Sequence, residues 1–298
     1  MSGSLDTALF GDRRFFTLPP GSDFLGILAE TLIEITDARR RPEALSDALI
    51  FVPNRRSARV LAGRLFDAMG GNAFLPPDIR PLGDAGDNDP ALLGELADID
   101  VRPSMPSGVR LGFLTRLVMS WHETRGIQLT LASASSVARD LARLLDQAAL
   151  VGDVDWSKLE DIGLETDLAA HWQVSVDFLS IVSDLWPKIL EENGFSDTSE
   201  KDRLAADAMR ARWRRTPPQT PVIVAGSTGT SPSSRKLMEG AVQLPRGAVL
   251  FPGLDTEVDE QTWRAILESP SHPQHAFADT LEALKVELAD VGLLPGFA

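Results

Sequence analysis

The chain has 298 residues, with 29 Lys and Arg against 43 Asp and Glu, a formal net charge of −14. It contains no cysteine, which excludes a disulfide framework, thiolate-bound zinc, an iron–sulfur cluster and a cysteine nucleophile. A hydrophobic share of 43% belongs to a folded chain with a core, here one large or two modest domains. No apolar run approaches the roughly 18–20 residues that span a bilayer, and MSGSLDTALFGDRR lacks the basic-then-apolar order of a secretion signal. The expectation is a soluble, cytoplasmic protein without a membrane partner. Strong acidity argues against a nucleic-acid binder basic over its whole surface, because phosphates are neutralised by Lys and Arg.

Taken in chain order, the first hundred residues alternate strand and helix. Arg14-Phe-Phe-Thr-Leu18 predicts a short buried strand ended by Pro19-Pro20-Gly21. Ser22 or Asp23 can cap the next helix, whose apolar positions Phe24, Leu28, Leu32 and Ile35 have helical spacing. Ala48-Leu-Ile-Phe-Val52 is a continuous apolar run closed by Pro53, as in a parallel strand covered on both faces. Asn54 opens a helix with an expected inner stripe of Ala58, Leu61, Ala62, Leu65 and Met69, stopped by Gly70-Gly71. Ile79-Arg-Pro-Leu82 predicts a third strand. From Asp84 to Asp100 the chain carries six acids and no base, and reads as a surface loop or weak helix.

Residues 106–215 then show helical periodicity only. Val137, Leu141, Leu144, Leu145 and Ala148 form one stripe; Phe178, Leu179, Val182, Leu185, Trp186 and Ile189 form another. A helix over about 198–215 stops at Pro217-Pro218. Strands return at Pro221-Val-Ile-Val-Ala225 and Gly247-Ala-Val-Leu-Phe251, with a helix starting at Ser231-Pro232 and others near 258–268 and 273–291. The predicted fold class is α/β: a parallel sheet flanked by helices, interrupted by an all-helical inserted subdomain. The expected division is 1–105, 106–218 and 219–298.

Such a sheet places function in loops at the carboxyl ends of its strands. The loop after the first strand stands where a phosphate-binding loop would, but Pro20, Gly21 and Ser22 offer one glycine and no lysine, with Asp23 beside them. None of the five lysines (158, 188, 201, 236 and 285) precedes Ser or Thr, so no Walker A sequence exists. The strand Val222–Val224 runs into Ala225-Gly226 without the acid that would hold Mg²⁺. Asp255 is the one carboxylate near a neighbouring strand end, and reads more simply as a turn or helix cap. Gly226-Ser-Thr-Gly-Thr-Ser-Pro232 is either an anion-docking loop or a well-capped strand-to-helix turn, and does not fit a nucleophile elbow.

Asn54, Arg55, Arg56 and Arg59 place cations in the first turns of a helix, against its dipole. They suit an anionic partner, or else form a solvated face. Arg210-Ala-Arg-Trp-Arg-Arg215 suits phosphate contact with stacking, though inward packing of Trp213 fits as well. His272-Pro-Gln-His275 has too few acids nearby for a metal and reads as a helix start. Asp84, Asp87 and Asp89 lack calcium-loop spacing. No catalytic residue, metal or cofactor is expected.

Several segments in this order resemble a known family: Phe15-Phe-Thr-Leu-Pro-Pro-Gly21, Leu49-Ile-Phe-Val-Pro-Asn-Arg-Arg56, Ile79-Arg-Pro-Leu-Gly-Asp84, Leu144-Leu-Asp-Gln147, His171-Trp-Gln173 with Trp186-Pro187, Val222-Ile-Val-Ala-Gly-Ser-Thr-Gly229, Gly247 through Asp255, and His272-Pro-Gln274. Nearly the whole chain is similar to the N-terminal part of AddB-type subunits of AddAB helicase–nucleases, which process DNA double-strand breaks for recombination. It is most like the subgroup described as inactivated superfamily I helicases. The resemblance implies a RecA-like (P-loop NTPase-like) domain interrupted by a helical subdomain, as in UvrD-like helicases. It places Asn54, Arg55 and Arg56 at a DNA-touching motif, and Ser227 and Thr228 in the loop after the Walker B-like strand. It implies an AddA-type motor subunit and single- or double-stranded DNA as partners. The missing Walker features speak against ATP hydrolysis. The missing cysteines and short length imply a fragment without the family's nuclease domain. The expected function is a non-catalytic helicase-like scaffold that guides or scans single-stranded DNA and docks the motor. The alternatives are an α/β phosphate-binding enzyme using loop 226–231, with Asp255 or Asp84, and a pure protein-docking module.

Overall fold

Short apolar strands bury both faces only when helices cover the sheet on each side. The computed structural model describes residues 2–82, 102–151, 178–179 and 184–296, which fall into two compact units, 1–86 with 205–298 and 87–204. In the first unit, β1 (Phe15–Leu18), β2 (Leu49–Val52), β3 (Asp78–Pro81), β4 (Val222–Ala225), β5 (Gly247–Pro252) and β6 (Val291–Leu293) form a six-stranded open sheet in the order β3-β2-β4-β5-β1-β6. Every pairing is parallel. Phe16, Leu18, Ile50, Val52, Ile223, Ala225, Ala248 and Leu250 point to one layer, with α1 (Ser2–Leu9), α2 (Phe24–Ile35) and α3 (Arg55–Ala68). The alternate residues Phe15, Phe51, Val222, Val224, Val249 and Phe251 point to the other. This is the period-two alternation of a strand with both faces buried.

The second layer's helices are the end of α7 (Thr198–Arg215), α8 (Pro232–Ala241) and α10 (His275–Leu284), which contribute Met209, Trp213, Leu237, Met238, Phe277 and Leu281. Helices α4 (Ser107–Glu123), α5 (Leu131–Val151) and α6 (Trp186–Glu192) precede α7, and α9 (Glu260–Leu267) lies between α8 and α10. Residues from Ala205 onward belong to the sheet unit, whereas the sequence pattern carried the helical block to 218. Ala206, Met209 and Trp213 are buried against the sheet, and Trp213 meets Phe51 edge to face at 6.1 Å. A side chain at Gly240 would collide with Arg210 and Trp213, so the glycine makes room for this packing.

Two expectations need correction. The helix predicted to run to 291 stops at Leu284, because Lys285 takes a left-handed C-cap conformation (φ 56°). A 3₁₀ turn (Leu288–Asp290) leads instead into β6, a sixth strand on the edge beyond β1. Ala62, expected on the inner stripe of α3, is exposed; Leu61, Leu65 and Met69 carry the burial. The N-terminal α1, unexpected from its sequence, is held by Arg246, which pairs with Asp6 and lies over the Phe10 ring.

The second unit has its own core of Met105, Leu114, Val118, Ala134, Ala138, Leu141, Trp186 and Leu190 on α4, α5 and α6. Arg110, largely buried, pairs with Asp146 at 2.7 Å and with Asp197 at 3.5 Å. The Trp186 indole N–H donates to the same Asp197 at 3.1 Å. Asp146 and Trp186, two positions in the resemblance, thus serve the core of this unit. Residues 84–100 and His171-Trp-Gln173 lie outside the described residues, as does part of the stripe expected over 178–189. No helix among the described residues is long and apolar enough to cross a membrane.

Candidate functional site

Because all six strands are parallel, the loops after β1, β2, β4 and β5 leave one edge of the sheet, on four strands that are neighbours in the order β2-β4-β5-β1. The first is built as a tight turn. Ser22 donates both its N–H (3.2 Å) and its hydroxyl (2.7 Å) to the Pro19 carbonyl, and Gly21 takes φ 84°. Phe24 N–H is spent on Ser22 O at 2.8 Å. Asp23 caps α2 by accepting from Gly26 N–H at 3.3 Å and pairs with Arg64 at 3.2 Å. A phosphate cradle needs successive free N–H groups at a helix N-terminus. Here Pro19 and Pro20 have none, Ser22 and Phe24 use theirs, and a carboxylate holds the helix end.

The neighbouring loops close on this turn. Gly226 (φ 79°) is so tightly placed that a Cβ would sit 3.2 Å from the Phe24 ring and 3.4 Å from Pro53. At Gly253 (φ 84°) a Cβ would lie 3.4 Å from Pro20 Cα. Thr17, wholly buried in β1, accepts from Leu254 N–H at 2.9 Å and donates to its carbonyl at 3.1 Å. Gln274 completes the clasp: its amide donates to Gly253 O at 2.9 Å and accepts from Asp255 N–H at 3.2 Å. The His-Pro-Gln segment is therefore a strap for the β5 loop. His272 Nδ1 accepts from Gln274 N–H at 3.2 Å, and His275 bonds the Ile266 carbonyl through Nδ1.

Loop 226–231 is also fixed from below. Ser227 Oγ accepts from Gly229 N–H at 3.1 Å, and Thr280 donates to Thr228 O at 2.7 Å. Arg235 donates to Gly229 O at 2.7 Å and pairs with Asp279. Ser231 caps α8 by accepting from Ser234 N–H. Ser227 and Thr228 are half-buried at the mouth of the turn. Asp255, the candidate acid, accepts from Glu257 N–H at 3.0 Å in an Asx turn, while Asp84 lies outside the described residues. Among the described residues no group of three or more His, Asp or Glu could hold a metal ion.

Across the touching loops, Asn54 caps α3, accepting from Ser57 N–H at 2.9 Å and from its hydroxyl at 3.2 Å. Arg55, Arg56 and Arg59 are exposed on the turns that follow. Arg56 and Arg59 have no hydrogen-bond or ion-pair partner among the described residues. The pairing of β2 with β4, and the contact of Pro53 with Gly226, bring Asn54 and its arginines beside the Ser227-Thr228 loop. The Arg210–Arg215 cluster is a different case: Trp213 is buried, and Arg210 pairs with Glu239 at 2.9 Å. Its aromatic is not available for stacking. Sequence reasoning named Phe24 and the His272-Pro-Gln274 segment but assigned neither a loop-closing role, and it passed over Thr17; for Thr17 the available signal was a lone hydroxyl inside the apolar run Phe15-Phe-Thr-Leu18, since buried hydroxyls take specified partners. Comparison with protein-family models and with curated proteins returns no match.

Proposed function

We propose that the chain is a non-catalytic, RecA-like scaffold of the AddB type, which guides single-stranded DNA along the carboxyl edge of its sheet and docks an AddA-type motor in the cytoplasm during double-strand break repair. The observation that carries this reading is a juxtaposition on one edge. The loop after β1 is closed by its own Pro-Gly turn with Phe24 and Asp23, while Arg56 and Arg59, without partners among the described residues, stand at the start of the adjacent helix. Cations against a helix dipole cost stability unless an anion offsets them. The all-parallel strand order further supports a RecA-like fold. DNA affinity is then local and electrostatic, independent of the overall charge of −14.

The test uses the whole chain and a labelled single-stranded oligonucleotide in fluorescence anisotropy across a salt series. Binding at low salt is expected, with log K falling by about 0.7 per log unit of salt for each phosphate neutralised. Arg56→Ala and Arg59→Ala each reduce that slope by one such step. No ATP turnover is expected, with or without DNA. Turnover lost on altering Gly21 or Ser22 would overturn the scaffold reading, and absence of DNA binding at low salt would favour the pure docking module.

A further inference from the structure

The outward face of α3 holds more than its arginines. Phe66 is 54% exposed, an unusual placement for an aromatic on a helix of the main unit. At 100° per residue, Arg55, Arg59, Ala62 and Phe66 fall within a strip about 60° wide. All four are exposed. Arg59 and Phe66 are separated by about 10 Å along the axis. Between them the surface is flat, because the intervening outward positions are Ala62 and Gly63, and a Cβ at Gly63 would meet nothing within 4 Å. Gly71, beyond the helix end, lies against the Phe66 ring tip without a side chain of its own. Of the remaining charges on this helix, Arg64 is paired with Asp23, and Asp67 projects about 100° round from Phe66.

We propose that Phe66 is a stacking platform for a base of single-stranded DNA whose phosphates are held by Arg59 and Arg56. Arg59, without a partner among the described residues, is followed by an exposed ring on one low-relief strip, and Arg56, likewise without one, projects about 60° round from Arg59. The set is complementary to an anionic backbone carrying flat bases, and stacking tolerates any sequence. The inference rests on the DNA-guiding reading above and extends it along α3 to a residue that no motif marks.

The test uses the full chain in fluorescence anisotropy with two labelled strands of about 16 nucleotides, the upper range of single-strand sites. One is oligothymidylate and the other has abasic spacers on the same backbone. Phe66→Ala is expected to weaken oligothymidylate binding about tenfold. It leaves the salt slope unchanged and has no effect on the abasic strand, while Phe66→Trp restores the affinity. Arg59→Ala weakens both strands and lowers the salt slope by about 0.7. If Arg59→Ala weakens binding but Phe66→Ala does not, or if the wild type binds both strands equally, the platform is wrong and the DNA reading stands. If the wild type binds neither strand at low salt, both fall, and the strip is left as a contact for an acidic, apolar protein segment.

Discussion

Gly229 is the tightest joint of the 226–231 loop, and replacing it with alanine should unfold the sheet unit at a markedly lower temperature. The residue has φ 75°, where an L side chain costs about 1–2 kcal/mol. An added Cβ would also fall 2.4 Å from Thr280 Cγ2 and 2.7 Å from Thr280 Oγ1, far inside contact distance. Thr280 is itself fully buried and bonded to Thr228 O at 2.7 Å, so it has no free space to enter. Overpacking of this kind costs about 1–3 kcal/mol. The sum is about 2–5 kcal/mol, which for a unit of this size lowers Tm by roughly 5–20 °C. Thr280→Ala removes both clashing atoms at the cost of one hydrogen bond, about 1 kcal/mol. A urea-unfolding double-mutant cycle should therefore show Gly229→Ala and Thr280→Ala compensating by about 1–3 kcal/mol. Additivity to within about 0.5 kcal/mol would refute the close approach.

Two further outcomes follow from the strap and the caps. Gln274→Ala removes two hydrogen bonds to the β5 loop, so amide exchange at Leu254 and Asp255 should quicken by the equivalent of about 1–3 kcal/mol, while amides in β2 keep their protection. Asp259 caps α9, and hydrogen bonds from the Thr262 N–H and hydroxyl hold its carboxyl below the usual aspartate range. A lowered folded-state pKa contributes stability that is present above the unfolded value and lost as pH falls through the folded one. Intrinsic-rate-corrected exchange protection at Gln261 and Thr262 should accordingly decline as pH drops below about 4. The Asp259→Asn variant, which keeps the cap without the titration, should show a flat profile.

The features that could be read from sequence are those whose cause is local. Ala48-Leu-Ile-Phe-Val52 and Pro221-Val-Ile-Val-Ala225 form strands because continuous apolar runs need both faces covered. Asn54 and Ser231 cap helices because a short side-chain oxygen three residues before an unpaired N–H has one good use. The lack of a Walker A sequence was equally legible, since it needs spaced glycines and a lysine followed by Ser or Thr, and none of the five lysines precedes either. β6 was not legible: Val291-Gly-Leu293 is too short for a period, and it pairs because β1 presents an open edge beside it. Ala62 was misassigned because a small apolar residue fits either face of a helix.

What the sequence alone determined is the α/β class, the strand-end loops, their caps and the lack of a Walker A pattern, all set by neighbours a few residues apart. Tertiary structure decided what those loops became. Phe24 and Pro53 meet Gly226, Thr17 and Gln274 hold Gly253–Asp255, and Trp213 turns inward. Each of these contacts except the Gln274 strap joins residues more than twenty-five positions apart. Such pairs are chosen by the space left when helices pack on a sheet, which no local pattern encodes.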